Sequence, residues 1–168
     1  KWIFITAVCV HAVHILVFLC RNVFKGVNLD TFVPSWFVTF NGIMVSLVAG
    51  PDMLPSAMAK AVLYWGLFIY TVTIPFMVWR LITREVKPGM LHTQAIVLAP
   101  CSLCLVSYLN IVKEPVRAVV MILYVCVILS LLFILVKLPR FFSVPFAPGF
   151  AGLTFPMAIG VVASTKAG

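Results

Sequence analysis

The stretch FAPGFAGLTFPMAIGVVAS, residues 146–164, is long and apolar enough to cross a lipid bilayer, yet it is rich in residues that weaken an α-helix. A glycine costs a helix about 1 kcal/mol and a proline about 3 kcal/mol relative to alanine. The weakening residues are Pro148, Gly149, Gly152, Pro156 and Gly160. In lipid, backbone groups freed by a break must find partners within the protein or in a water-filled cavity. The pattern therefore favours a membrane helix inside a bundle, not one that faces lipid.

The composition of the whole chain is that of a membrane protein. Hydrophobic residues make up 64% of the 168 residues and charged residues 10%, and the mean hydropathy is +1.19. A soluble domain has about a quarter of its residues charged, and a spanning helix needs roughly 17 to 25 apolar residues. Six such segments are predicted, at about 3–24, 34–50, 57–79, 91–111, 116–137 and 147–165. We therefore expect an all-α, multi-pass protein of the cell membrane, with residues 1–168 in a single transmembrane domain.

The first segment is a full span and not a cleavable signal peptide. It carries His11 and His14 in its middle, where a signal peptide would have a short apolar region followed by a cleavage site. The chain also begins with Lys1 inside an apolar run and without an initiator methionine. We expect it to be a fragment of a larger membrane domain.

The net charge of +8 would suggest a nucleic-acid partner in a soluble protein. Here the basic residues lie in short loops or at span ends, where the positive-inside rule applies, so no nucleic-acid partner is expected. One side of the membrane would hold Arg21, Lys25, Arg80, Arg84, Lys87, Lys137 and Arg140; the other would hold Lys1, Lys60, Lys113, Arg117 and Lys166. The larger set places the loops near 21–33, 80–90 and 137–145 in the cytoplasm.

Helix breakers recur in every second span. The second span contains Gly42 in PSWFVTFNG, the fourth contains Pro100 in IVLAPCSLC, and the sixth contains the opening stretch. Of the alternate spans, only the third has an internal proline, Pro75. Because interrupted helices belong away from lipid, the alternation predicts an inner layer of breakable helices around a pore and an outer layer of regular ones. The alternative is that the breaks are packing kinks without a pore.

Three segments carry a resemblance to a known family. TQAIVLAPCSLCLVSYLNI (93–111), VPSWFVTFNGIMV (33–45) and GLTFPMAIGVVAS (152–164) resemble successive inner helices of the tellurite-resistance/dicarboxylate transporter family. That family includes bacterial tellurite-resistance proteins, fungal malate and sulfite transporters and the slow anion channels of plant guard cells. The resemblance implies five helical hairpins with quasi-fivefold symmetry around a central pore. This chain would supply helices four to nine of ten, and the protein would assemble as a homotrimer in the lipid bilayer.

The same resemblance implies the function and the residues that serve it. The expected protein is an anion channel or transporter for small anions, either a C4-dicarboxylate such as malate, sulfite, or chloride and nitrate. Phe155, between Thr154 and Pro156, matches the position of a phenylalanine that closes the pore, and an apolar ring in a narrow pore blocks ions by excluding water. The other expected pore-lining or helix-break residues are Gly42, Pro100, Gly149, Gly152 and Pro156. The alternative for Phe155 is packing or lipid contact.

The distribution of charge favours a passive path for the anion. The chain has twelve basic and four acidic residues, and all sixteen map to predicted span ends and loops. Ion-coupled carriers usually keep an ionisable residue within the membrane. We therefore expect flux that is uncoupled from protons and sodium. Helix-terminal N–H dipoles at the breaks, together with the positive loops, could stabilise the anion.

Other chemistry is weakly indicated. Cys101 and Cys104 have the CxxC spacing of thiol oxidoreductases, so a membrane thiol-disulfide oxidoreductase is one alternative, and a non-transporting scaffold subunit is another. His11 and His14 share a helix face but provide two ligands where a metal needs three or four, and we expect them to be packing residues. No catalytic or cofactor motif is present, so no enzyme activity, cofactor or metal is predicted.

Overall fold

The computed structural model describes residues 1–143 and 148–167, and its elements there are helical. The seven α-helices are α1 (Trp2–Asn22), α2 (Trp36–Asn41), α3 (Val45–Ala49), α4 (Ser56–Thr83), α5 (Leu98–Ile111), α6 (Arg117–Phe142) and α7 (Thr154–Ala167). Four 3-10 segments join them, at Gly42–Met44, Pro51–Met53, Pro88–Val97 and Pro148–Leu153. The end of the predicted loop 137–145 and the first residue of the predicted span 147–165 lie outside the described residues.

Among the described residues, five helical stretches are long and apolar enough to cross a membrane: Trp2–Asn22, Ser56–Thr83, Pro88–Ile111, Arg117–Phe142 and Gly149–Ala167. They correspond to five of the six predicted spans. The remaining span, predicted at 34–50, is the shorter stretch Trp36–Ala49, in which α2, a 3-10 turn and α3 follow one another. A 3-10 turn rises more steeply than an α-helical one, so this stretch reaches further than its length as a plain α-helix would allow.

Continuous and interrupted helices alternate along the chain. Helices α1, α4 and α6 run without a break for 21, 28 and 26 residues, although α4 contains Pro75 and α6 contains Pro139. The other three spans each combine a 3-10 segment with an α-helix. Pro100 and Pro156 are each the third residue of their α-helix, directly after the 3-10 turns. Proline lacks an N–H and clashes with the carbonyl four residues earlier, which explains why the turn before it departs from α-helical geometry.

Helix α5 lies at the centre of the described fold. Eleven of its 14 residues are buried, and it packs against α3, α4, α6 and α7. In α1, by contrast, Val8 and Ile15 are the buried residues, so most of its surface is left for lipid or other helices. The interrupted fourth span is thus enclosed by protein, as the need to satisfy freed backbone groups requires.

Three connections that the charge pattern assigns to the cytoplasm lie side by side. Arg80 donates from Nε to the Leu29 carbonyl over 3.2 Å, and ion pairs join Arg84 to Asp30 and Arg140 to Glu85 at 3.8 and 3.9 Å. These contacts place all three connections on one side of the bundle.

The ends of two helices differ from the sequence prediction. Helix α4 continues to Thr83 and α6 to Phe142, so Arg80, Lys137 and Arg140 lie in helical turns and not in loops. The prediction ended α6 near residue 137 because a proline follows at Pro139. That proline lies within the last turns of α6, where the helix ends soon after it and little backbone bonding is lost.

Candidate pore-lining site

A cavity of about 490 Å³ lies where the three interrupted spans meet. Of the six residues predicted to line or gate a pore, five lie in its wall: Gly42, Pro100, Gly152, Phe155 and Pro156. They come from three segments that are distant in sequence. The fold therefore brings together most of the residues that the helix-break pattern singled out.

Gly149 lies outside this wall. A Cβ atom at Gly149 would stand 3.4 Å from Nδ1 of His92, and His92 is buried. The contact belongs to the packing of the 3-10 segment Pro88–Val97 against the 3-10 segment Pro148–Leu153. Gly149 thus permits a close approach of two backbone segments, and the structure does not place it with the other five residues.

Phe155 is the second residue of α7 and is 45% exposed. Phe37, which lines the same cavity from α2, is 2% exposed and belongs to the packed core. The ring of Phe155 is therefore held loosely compared with a core ring.

The wall of the cavity is apolar apart from one titratable side chain, that of His11 on α1. Its Nε2 lies 2.9 Å from the backbone carbonyl of Thr39. A carbonyl oxygen only accepts hydrogen bonds, so Nε2 carries the hydrogen and donates it. This bond joins α1 to the second span. The ring of His14 lies 6.2 Å away, edge-on, and the described residues hold no group of three or more potential metal-ligating side chains.

The break in the second span is stabilised by side chains from three other helices. Four backbone carbonyls of this span accept hydrogen bonds from them: Thr39 from His11 at 2.9 Å, Phe40 from Trp65 at 3.1 Å, Met44 from Ser107 at 3.5 Å and Leu47 from Asn110 at 2.9 Å. A change from α to 3-10 bonding alters which N–H reaches each carbonyl and leaves acceptors in need of donors. The neighbouring helices supply those donors where lipid could not.

At two of the helix breaks, the backbone N–H group that begins the α-helix is already hydrogen-bonded within the chain. The N–H of Leu98, which begins α5, donates to the Ala95 carbonyl, and the N–H of Val45, which begins α3, donates to the Gly42 carbonyl. Each 3-10 segment runs directly into the next α-helix, so these two amides bond to the preceding turn.

Asn41 is a buried polar residue that the sequence analysis did not identify. It is fully buried, its Nδ2 donates to the Gly66 carbonyl at 3.0 Å, and its Oδ1 has no partner among the described residues. A signal was present, because a polar residue in the middle of an apolar span is rare and usually faces the bundle interior. Asn41 joins the interrupted second span to α4 beside the candidate cavity.

The CxxC cysteines are both completely buried and unpaired. The Sγ of Cys101 lies 3.2 Å from the Leu98 carbonyl, and the Sγ of Cys104 lies 3.7 Å from the Gly66 carbonyl. Thiol-disulfide exchange requires that a second thiol reach the sulfur. These positions give the oxidoreductase alternative no support.

Comparison with known proteins was made at the level of family, curated proteins and solved structures. A family model described as SLAC1, voltage-dependent anion channel, matches residues 1–168. No curated protein and no solved structure matches the chain significantly.

Proposed function

The chain belongs to the voltage-dependent anion channel family, and on that premise we propose that it passes small anions through a central pore closed by Phe155. This is the tellurite-resistance/dicarboxylate transporter family indicated by the motifs, so the predicted family and the all-α membrane fold are confirmed. Members of the family are membrane-integral anion channels or transporters and not enzymes. The central pore, the gate at Phe155 and the identity of the anion are proposals that go beyond membership of the family.

The observation that carries the proposal is the convergence of the three interrupted spans on one apolar cavity. Its wall includes small or ring-constrained residues from each span, among them Gly42, Pro100 and Gly152. Such residues keep side chains out of the space between helices. A narrow apolar passage resists ions because water leaves it, and the half-exposed ring of Phe155 stands at this wall.

The remaining parts of the proposal rest on the resemblance between the motifs and the family. The anion is a C4-dicarboxylate such as malate, sulfite, or chloride or nitrate. Residues 1–168 form one transmembrane domain and correspond to helices four to nine of a ten-helix bundle, which assembles as a homotrimer in the cell membrane. Light scattering of the full-length protein in detergent tests the trimer.

Anion flux into liposomes tests the function. The full-length protein should carry at least one anion of a panel of malate, sulfite, chloride and nitrate faster than protein-free liposomes do. Vesicles that contain an unrelated membrane protein at the same density control for leaks. Flux at the level of these controls for every anion, across a range of membrane voltages, would contradict the proposal and favour the scaffold alternative.

A further inference from the structure

A second cavity, of about 510 Å³, forms a groove between the continuous helices α4 and α6. Its walls are mostly apolar and include Ile74, Val78, Leu129 and Phe133. Val78 and Leu129 are 45% and 60% exposed, so the groove is open on the side away from α5. The groove lies apart from the candidate pore and shares none of the pore-lining residues.

The length of the groove corresponds to one leaflet of a bilayer. Its lining on α6 begins at Cys126, in the middle of the helix, and ends at Lys137, near the cytoplasmic end. At 1.5 Å per residue these positions are about 16 Å apart along the helix axis. The hydrocarbon core of a bilayer is about 30 Å thick, so the groove extends from the bilayer centre to the headgroup level of one leaflet.

A cation stands at the headgroup end of the groove. Lys137 lines the groove, and its Nζ lies 5.9 Å from the centroid of the Phe133 ring. In residues 1–143 and 148–167 the nearby cations Arg84, Lys87 and Arg140 pair with carboxylates, whereas Lys137 has no ion pair. No acidic side chain lines the groove in that part of the chain.

We propose that this groove binds an anionic phospholipid, with one acyl chain between α4 and α6 and the phosphate at Lys137. The apolar walls match an acyl chain, the length matches one leaflet, and the unpaired cation matches the charge and depth of the headgroup. The floor of the groove includes Val97, the last residue of the 3-10 segment before α5. The bound chain therefore contacts the break of an interrupted helix at a residue outside the candidate pore wall.

Native mass spectrometry of the full-length protein tests the headgroup contact. Phosphatidylglycerol and phosphatidylcholine with identical acyl chains are added separately, and bound lipids are counted. The wild type should prefer phosphatidylglycerol. Lys137→Gln should weaken phosphatidylglycerol binding about fivefold, the effect of one lysine near a charged lipid, and leave phosphatidylcholine binding unchanged. Lys137→Arg should retain the preference, and Lys113→Gln, an exposed lysine on the opposite side, should behave like the wild type.

A groove-filling variant tests the acyl-chain contact. Val78→Trp should reduce the binding of both lipids, whereas Val125→Trp, at a half-exposed position of α6 outside the groove, should not. Thermal unfolding and gel filtration of each variant verify its fold and its assembly. An unchanged preference in folded Lys137→Gln would overturn the headgroup assignment. Unchanged lipid counts in folded Val78→Trp would contradict the proposal that a lipid binds in the groove. Loss of the oligomer in that variant would instead identify the groove as a subunit interface. All of these outcomes are independent of anion flux.

Discussion

A Cβ atom on Gly66 would lie 1.9 Å from the Sδ of Met44, closer than any real contact between such atoms. Helix α4 and the 3-10 turn Gly42–Met44 therefore touch at a point where a side chain at position 66 would force the Met44 side chain to move. Met44 is fully buried, and its sulfur also receives the Asn41 amide at 3.6 Å. The thioether has polar and apolar neighbours on several sides, so it has little room to move.

We expect Gly66→Ala to destabilise the protein by about 1 to 3 kcal/mol, the usual cost of an overpacked core. Thermal unfolding in detergent measures it. Gly89→Ala is the matched control, because a Cβ there meets nothing within 4 Å. In a Met44→Ala background, which itself loses a buried side chain, adding Gly66→Ala should cost less than it does in the wild type, because the opposing side chain is gone. Equal unfolding temperatures for Gly66→Ala and the control would show that the contact is not tight.

Phe155→Ala should increase anion flux, because removal of the ring widens an apolar constriction and lets water enter. The ring is 45% exposed, so the variant should lose less stability than the 3 to 5 kcal/mol typical of a buried phenylalanine. Liposome flux per folded protein is the measurement. Phe68→Ala, a similarly exposed ring on α4, is the control and should leave flux unchanged. Unchanged or lower flux in folded Phe155→Ala would count against the gate.

Gly152→Leu should reduce flux severalfold with little change in stability. A Cβ at Gly152 meets nothing within 4 Å, yet the residue lines the candidate pore, so an added side chain fills open space instead of displacing neighbours. Gly89→Leu adds the same side chain at an open position outside the cavity. The flux of the two variants is compared after the same unfolding assay has verified the fold of each. Equal flux would contradict the assignment of Gly152 to the pore wall.

Trp65→Phe should cost about 1 to 3 kcal/mol, the penalty for leaving a buried carbonyl without its donor. The substitution keeps most of the ring and deletes the N–H that donates to Phe40 at 3.1 Å. Trp79→Phe is the control, since that ring is 53% exposed and its indole N–H donates no hydrogen bond within the described residues. Unfolding in detergent compares them, and if the two variants are equally stable the break does not depend on this donor.

Flux should be uncoupled from protons and sodium. Among the described residues the cavity wall holds no carboxylate, lysine or arginine, and its histidine, His11, is held by the bond from Nε2–H to the Thr39 carbonyl. Liposomes with a pH step or a sodium gradient, held at zero membrane voltage, provide the test. Accumulation of the anion against its own gradient under either condition would show coupling.

Much of the fold follows from local properties of the chain. Hydropathy locates the spans, and the positions of Gly42, Pro100 and Pro156 locate the irregular ones, because a weakened helix is a property of its own residues. The distribution of basic residues assigns each loop to one side of the membrane. The hydrogen bond between Arg80 and Leu29, which lie in two connections assigned to the same side, agrees with that assignment. The convergence of five candidate residues on one cavity also follows, since alternate helices of a hairpin bundle share one layer.

Other features depend on contacts between distant residues and were not predictable. Trp65 and Phe40 are 25 positions apart, and nothing in either segment indicates that one satisfies the other. Gly149 and Gly152 weaken the helix equally, but only Gly149 packs closely against His92. That contact depends on the tertiary packing and cannot be read from the sequence. The 3-10 bonding that engages the Leu98 amide with the preceding turn is likewise not evident from the sequence.

The hydrogen bonds that stabilise the second span also constrain how the protein is made. As a plain α-helix the stretch Trp36–Ala49 would span about 21 Å, less than the hydrocarbon core, and donors for its carbonyls come partly from α4 and α5. Both helices are synthesised after it. We expect this segment to leave the translocon without stable partners and to settle in the bilayer only when α5 has been added. Glycosylation mapping of nascent chains, stopped before and after α5, would reveal that delay as a change in the topology of an already translated segment.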